Sequence, residues 1–267
     1  MVERITVAIV GLALLAGCQS TPSEDDLPAN IRADRAYEAG DYGKAAQLYT
    51  QFLAENPSDF MSLYRRGVCF DKLGATSAAI ASLSAALDLR PDSRDALMAR
   101  AHAYYGAGNR QLAMADLETA MSTEGWAEAQ PHEQVLAYAL MSQIAVMDGE
   151  MDVALKALDT GIELAEEYED HVSTNHYRKL LYNRAMVGFA LGFYGPAAED
   201  FDHYMVLSSD EGYSPSESDY YNACFLCYMA EDFETARSYL ANLSDAQLEV
   251  LAQKTKDPTF FVAGADV

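Results

Sequence analysis

DFMSLYRRGVCFDKLGATSAAIASLSAALDLRP, residues Asp59 to Pro91, is the stretch that decides the fold of this chain. Its apolar residues recur at helical spacing on both sides of Gly74, and Pro91 closes it. It therefore reads as two amphipathic helices joined by a tight turn. The pattern returns 34 residues away in both directions: Gly40, Gly74 and Gly108 mark the turns, Ala45, Ala79 and Ala113 repeat the step, and so do Pro57 and Pro91. Self-similarity at this period predicts a stack of helical hairpins. Such a stack offers a binding surface, and nothing in the repeat itself names what is bound.

Aligned on the turn residue, about six units emerge. The first has helix A over 31–40 and helix B over 42–55, with Ala45, Tyr49 and Pro57. The second carries Tyr64, Gly67, Phe70, Gly74, Ala79, Leu83, Ala86 and Pro91, and the third Leu97, Ala101, Tyr104, Gly108, Ala113, Leu117 and Ala120. These residues resemble the tetratricopeptide repeat, which has small residues at positions 8, 20 and 27, an aromatic at 11 or 24, and proline at 32. The small residues let helices approach closely, and the proline, lacking an N–H, stops helix B. The resemblance implies an all-α, right-handed superhelical solenoid of about six helix-turn-helix repeats with a C-terminal capping helix.

Past Met121 the period lengthens. Gly149, Gly192 and Glu231 hold the turn position next, at spacings of 41, 43 and 39. Met151-Ala154-Leu158, Tyr194-Ala197-Phe201 and Phe233-Ala236-Leu240 repeat the start of helix B, so the extra residues belong between repeats. The expected repeats are 30–57, 59–91, 93–125, 132–166, 173–207 and 215–243, within a solenoid over 30–256. The segment 122–131, with the only tryptophan, Trp126, is expected to fold back over a neighbouring unit, and 208–214 to form a polar loop. Ser214-Pro215-Ser216-Glu217 reads as a capping box that starts the sixth helix A. Ser244-Asp245-Ala246-Gln247 reads as another, opening a capping helix over 244–256, and a tail over 257–267 carries Phe260-Phe261-Val262.

The first residues point to export. The run from Ile5 to Ala16 is apolar, too short to span a bilayer, and preceded by Arg4. It ends in Leu15-Ala16-Gly17-Cys18, which resembles the lipobox of bacterial lipoproteins. The resemblance implies a signal peptide over 1–17, cleavage before Cys18, and acylation of that cysteine. Gln19, rather than Asp, then implies the outer membrane of a Gram-negative envelope, facing the periplasm. Residues 18–29 are polar, with two prolines, and suit a flexible tether. The plainer alternative is an ordinary secretory signal that happens to contain a cysteine.

The chain has 18 basic and 41 acidic residues, a net charge of −23. That field repels phosphate backbones, so nucleic acid is not an expected partner. Acid also keeps an aromatic-rich surface soluble. Chemistry-bearing motifs are scarce. There is no phosphate loop with Lys, no G-x-S-x-G and no HExxH, so neither an enzyme nor a cofactor or metal is expected. Glu199 and His203 share a helix face, where two groups would leave a metal underligated. Cys224 and Cys227 have CxxC spacing but fall at positions 8 and 11, where small residues pack, and no second CxxC completes a zinc site.

In the tetratricopeptide family, helix A positions 2, 5, 9, 12 and 13 line a concave face that receives peptides. Carried onto this sequence, those positions give Tyr37, Met61, Tyr64, Val68, Asp71, Met98, His102 and Tyr105, then Tyr182, Met186, Phe189, Tyr221, Phe225 and Tyr228. Aromatics and methionines suit a partner with apolar anchors. The bland alternative buries several of them within the hairpins. The Lys and Asn set of the family's carboxylate clamp is absent: Tyr64 and Val68, then Met98 and His102, stand in its place. The whole resembles lipid-anchored tetratricopeptide lipoproteins, a group that includes the peptidoglycan-hydrolase scaffold and type IV pilus pilotins. Tyr64-Arg65-Arg66-Gly67-Val68 and Leu89-Arg90-Pro91-Asp92 lie nearest the hydrolase scaffold. The resemblance implies an adaptor for periplasmic or envelope proteins, held to the membrane at Cys18. A self-associating structural component, as a homodimer, or a pilotin of a pilus or secretion system are the alternatives.

Overall fold

The computed structural model describes residues 27–210 and 212–261, and among them it contains helices and connecting turns. In order these are α1 (Ala29–Glu38), α2 (Tyr42–Glu55), α3 (Phe60–Lys72), α4 (Thr76–Leu89), α5 (Arg94–Gly106), α6 (Arg110–Ser122), α7 (Pro131–Asp148), α8 (Met151–Glu167), α9 (Thr174–Leu191), α10 (Tyr194–Asp210), α11 (Glu217–Met229), α12 (Phe233–Leu240), α13 (Asp245–Thr255) and α14 (Pro258–Phe261). The chain is all-α. It divides into two compact units, one reaching Met121 and one starting at Ser122. The first stacks the hairpins α1–α2, α3–α4 and α5–α6. The second stacks α7–α8, α9–α10 and α11–α12, and ends in α13 and α14.

Each hairpin is built by two local constraints. The turn needs a left-handed backbone: Gly40, Gly74, Gly108, Gly149 and Gly192 adopt φ between +71° and +82°. Glycine enters that region without the Cβ clash that other residues meet. The sixth turn holds Glu231 there instead, at φ 64°. The second constraint is where the two helices cross. Ala45, Ala79, Ala113, Ala154, Ala197 and Ala236 are each 0–1% exposed, small side chains that let the two helices approach closely. Gly67 in α3 makes a comparable close approach to α4, since a Cβ there would lie 2.5 Å from Leu83 Cγ.

A third, polar device ties hairpin to hairpin. Arg100 of α5 donates from Nε and Nη2 to both oxygens of Asp116 in α6, at 2.7 and 2.8 Å. Its Nη1 reaches back to Ser84 Oγ in α4 at 3.1 Å. Arg184 of α9 repeats the arrangement with Asp200 of α10, at 2.8 and 2.7 Å, and with Asp159 of α8, at 2.9 Å. Arg66 of α3 holds Ser82 of α4 at 3.1 Å. Each pair within a hairpin is 16 residues apart. In the last hairpin Tyr239 of α12 donates directly to Asp202 of α10 at 2.5 Å. These bidentate guanidinium–carboxylate pairs are partly shielded from water, where charge-assisted hydrogen bonds are strongest.

Several connections differ from the sequence expectation. The expected polar loop from residue 208 is helix up to Asp210. Ser208 is buried, its hydroxyl donating to the Tyr204 carbonyl at 2.7 Å and accepting from Arg178 at 3.4 Å. The capping box lies two residues later than Ser214. Ser216 is the N-cap and pairs reciprocally with Asp219, while Pro215 precedes the helix. At α13 the Ser244 hydroxyl makes no cap bond. Glu217 of α11 instead accepts the Ser244 N–H at 2.8 Å, so the capping helix is held from the preceding hairpin. The segment before α7 is pinned by Gln134, whose Nε2 donates to the carbonyls of Trp126 and Ala129 at 3.1 and 3.2 Å.

Two stability outcomes follow. Asp200→Ala should lower the unfolding free energy by about 2 kcal/mol, because it removes the bidentate partner of a partly buried guanidinium and leaves it Asp159 alone, while Arg184→Met with Asp200→Leu should stay within about 1 kcal/mol of the parent. Urea unfolding of the three proteins measures both. Glu231→Gly should raise stability by about 1 kcal/mol, the cost of a left-handed non-glycine residue.

Candidate functional site

The inner sides of the A helices carry the residues singled out above, and the two units treat them differently. In the first unit they form a mixed apolar and polar strip. Met61 is 47% exposed on α3. Tyr64 is half-buried, stacked on Phe60 with ring centroids 6.3 Å apart. Met98 is half-buried and packs against Leu87, Ala96, Leu97 and Ala120, and Val68 and Tyr105 are half-buried as well. Tyr37 of α1 meets Tyr42 edge-on at 5.8 Å, with the Arg65 guanidinium 5.7 Å from its ring. Asp34, one helical turn away, accepts from both Arg65 at 2.6 Å and the Tyr49 hydroxyl at 2.5 Å.

Between these apolar groups lies one ion pair. Asp71 at the end of α3 and His102 in the middle of α5 meet at 2.9 Å. The hydrogen bond to Asp71 raises the His102 pKa above its ordinary value, against the smaller lowering by desolvation. The pair bridges neighbouring A helices, as a side chain of a bound segment would.

In the second unit the same positions are largely occupied from within. Tyr182 turns its ring onto Phe201 at 5.6 Å and Tyr204 at 5.3 Å, inside its own hairpin. Met186 is half-buried against the same core. Phe225 is buried. Tyr228, expected to be groove surface, is covered by the tail: its ring lies 5.0 Å from Phe260 and 4.9 Å from Phe261, and its hydroxyl donates to Asp257 at 3.0 Å. So the tail docks on the last hairpin as far as Phe261. Phe189 and Tyr221 remain half-buried around Phe225, at ring distances of 5.6 and 6.4 Å from it. Lys254 of α13 reaches into this cluster, its ammonium 4.0 Å from the Phe225 ring.

Other candidates resolve into packing. Cys224 and Cys227 are free and buried, and burial pushes both thiols up to about 12. The Cys224 thiol donates to the Ala236 carbonyl at 3.3 Å, where α11 crosses α12. His203 is exposed and meets the Tyr177 ring edge-on at 5.5 Å. Among the described residues no group of three or more His, Cys, Asp or Glu side chains is placed to hold a metal ion. Cys18 lies outside the described residues.

Charge separates the units more sharply than shape does. Residues 27–121 carry 10 Lys and Arg against 11 Asp and Glu, whereas residues 122–261 carry 7 against 25. Nearly all of the net negative charge of residues 27–261 belongs to the second unit. Sequence reading missed this asymmetry by treating −23 as one number, although counting by unit reveals it. It also missed the arginine ties, whose 16-residue recurrence was there to be found.

Residues 32–94 match the family model described as tetratricopeptide repeat, so the first unit contains such repeats. Solved structures extend the same fold across most of the chain. PilW, described as a widely conserved type IV pilus biogenesis factor, is 17% identical, with a TM-score of 0.62 over 87% of this chain and all of its own. Pseudomonas aeruginosa pilF is 15% identical, with a TM-score of 0.63 over 88% of this chain and 95% of its own. YrrB, described as a TPR protein with an unusual peptide-binding site, gives 16% and 0.56 over 84% of this chain and 100% of its own. Among curated proteins, a tetratricopeptide repeat and J domain-containing co-chaperone of Fusarium oxysporum f. sp. lycopersici, DNJ1, is 26% identical over 208 residues, 75% of this chain. The match spans 38% of that relative's length. The chain thus has a helical-repeat fold like that of these proteins, with tetratricopeptide repeats matched over residues 32–94, a fold suited to protein–protein interaction.

The Asp71–His102 pair gives a pH test. With the folded pKa above the unfolded value, its stabilisation is fully present below a pH of about 6.5 and fades as pH rises through the raised value. The imidazole side chain is 63% exposed, so the effect stays below about 1 kcal/mol. The difference in unfolding midpoint between the parent and His102→Gln should shrink as pH rises from about 6 to about 8.

Proposed function

We propose that the chain is an outer-membrane-anchored periplasmic scaffold that gathers protein partners, in envelope or cell-wall assembly, by binding their segments on its concave faces. The observation that carries this is the strip of the first unit. Met61, Tyr64, Met98, His102 and Tyr105 stand on successive A helices, with Met61 and His102 exposed and the others half-buried. Apolar groups in such a row offer anchors, and the Asp71–His102 pair offers a polar group between them. The scaffold acts by positioning and carries out no reaction.

The anchor rests on Leu15-Ala16-Gly17-Cys18, whose resemblance to a lipobox supports acylation at Cys18. The hydrolase-scaffold reading rests on the short Tyr64–Val68 and Leu89–Asp92 likeness. A second reading, a pilotin of a pilus or secretion system, is favoured by the role stated for PilW, whose whole length this chain matches in fold.

A soluble form lacking residues 1–18 should capture periplasmic proteins from a native extract, and Tyr64→Ala with Tyr105→Ala should abolish capture of the same proteins. Unchanged capture by the double variant would sink the concave-face mechanism. Separately, Cys18→Ala should move the protein from the membrane to the soluble fraction, and persistent membrane attachment would refute acylation.

A further inference from the structure

The cluster around Phe225 is a seat for a cation. Lys254 places its ammonium 4.0 Å from the Phe225 ring centroid, 5.9 Å from Tyr221 and 6.0 Å from Phe189. Phe189 meets Phe225 at 63° and Tyr221 lies nearly parallel to it at 27°, so three ring faces and edges converge on one position. Ring faces are negative and attract ammonium and guanidinium groups within about 6 Å. The three aromatics come from two adjacent A helices, α9 and α11, and the lysine comes from the capping helix α13.

The surroundings favour the same sign of charge. The turn closing α7 carries Asp148, Glu150 and Asp152, and the turn closing α11 carries Glu231, Asp232 and Glu234, all exposed. The second of these turns ends α11, the helix that carries Tyr221, Phe225 and Tyr228, and the first ends α7. Leu136, Val146 and Met147 of α7 fall on the concave positions and are exposed, which supplies apolar contacts beside the acidic turns. An apolar strip with acidic margins, in a unit carrying 25 acidic and 7 basic residues, is complementary to an amphipathic cationic segment and repels an acidic one.

We propose that the concave face of the second unit binds a cationic peptide segment of a partner protein, whose Lys or Arg takes the position over Phe225, Tyr221 and Phe189 that Lys254 fills from within the chain. The inference rests on the reading of the concave faces as binding surfaces and adds the chemistry of the occupant. Lys254 competes with the incoming cation. A cation–ring contact at an accessible site is weak enough to be exchanged for another, so the lysine tunes affinity without closing the site.

The test uses full-length protein in a non-ionic detergent and two fluorescein-labelled synthetic peptides. One has leucine anchors between lysine pairs, and the other has glutamates in place of the lysines. Anisotropy titrations should show the lysine peptide binding, with affinity falling as salt rises, and the glutamate peptide not binding. Lys254→Ala should tighten binding of the lysine peptide about two- to five-fold. Glu150→Lys with Glu234→Lys, both exposed, should weaken it, and so should Met147→Ala. Equal binding of the two peptides would overturn the cation seat while leaving the concave-face reading intact. Salt-sensitive binding indifferent to Lys254→Ala and Met147→Ala would place the peptide elsewhere on the acidic surface and overturn both readings for this unit. Failure of the lysine peptide to bind would also overturn the inference.

Discussion

Close approach of helix backbones is what every other feature of this molecule depends on. At the crossing within each hairpin stands an alanine, and all six are sealed from solvent. A methyl group there takes little room, so helices A and B come close and the bulkier residues around the crossing interdigitate. Dispersion between packed surfaces falls off steeply with separation, so a crossing held tight allows Tyr49, Leu83, Leu117, Leu158 and Phe201 to pack against their neighbours. The arginine ties make sense only on that foundation. A guanidinium fork reaching Asp116 on one side and Ser84 on the other needs both partners at fixed distance.

Those constraints were also the legible part. A turn that needs positive φ and a crossing that needs a small residue leave a mark at single positions, so Gly74 and Ala79 announced the period. Helix starts were less legible because serine is common near them. Ser214 and Ser244 read as caps in the sequence, yet the residue with a capping partner in place is Ser216, paired with Asp219. The direction taken by aromatic side chains was not legible at all from repeat position. Tyr64 and Tyr182 share position 5, yet Tyr182 lies against Phe201 and Tyr204 while Tyr64 stacks on Phe60. What differs is the neighbouring helix, and the position in the repeat carries no information about that. Tyr228 was obscured for another reason, since its cover comes from residues 29 and more further along the chain.

The two units bring different chemistry to one fold. The first has nearly balanced charge and a strip in which an Asp–His pair interrupts apolar groups. The second is strongly acidic, its aromatic cluster already touched by a lysine of its own chain. Two surfaces of unlike character on one chain suit a protein that brings unlike partners together. The tail adds to this by packing Phe260 and Phe261 on Tyr228, with Phe260 also touching Phe233, so part of the apolar end of the last hairpin is covered by its own chain.

The buried cysteines have a consequence of a different kind. Cys69, Cys224 and Cys227 stand where helices press together, and burial holds all three thiols protonated, at about 11 for Cys69 and about 12 for the other two. The thiolate is the nucleophile that reacts with oxidants and attacks disulfides, and burial keeps its population small at neutral pH. The three cysteines of the described residues therefore act as small packing groups. Among the described residues no disulfide holds the helices together, and the packing around these three thiols does that work without a covalent bond.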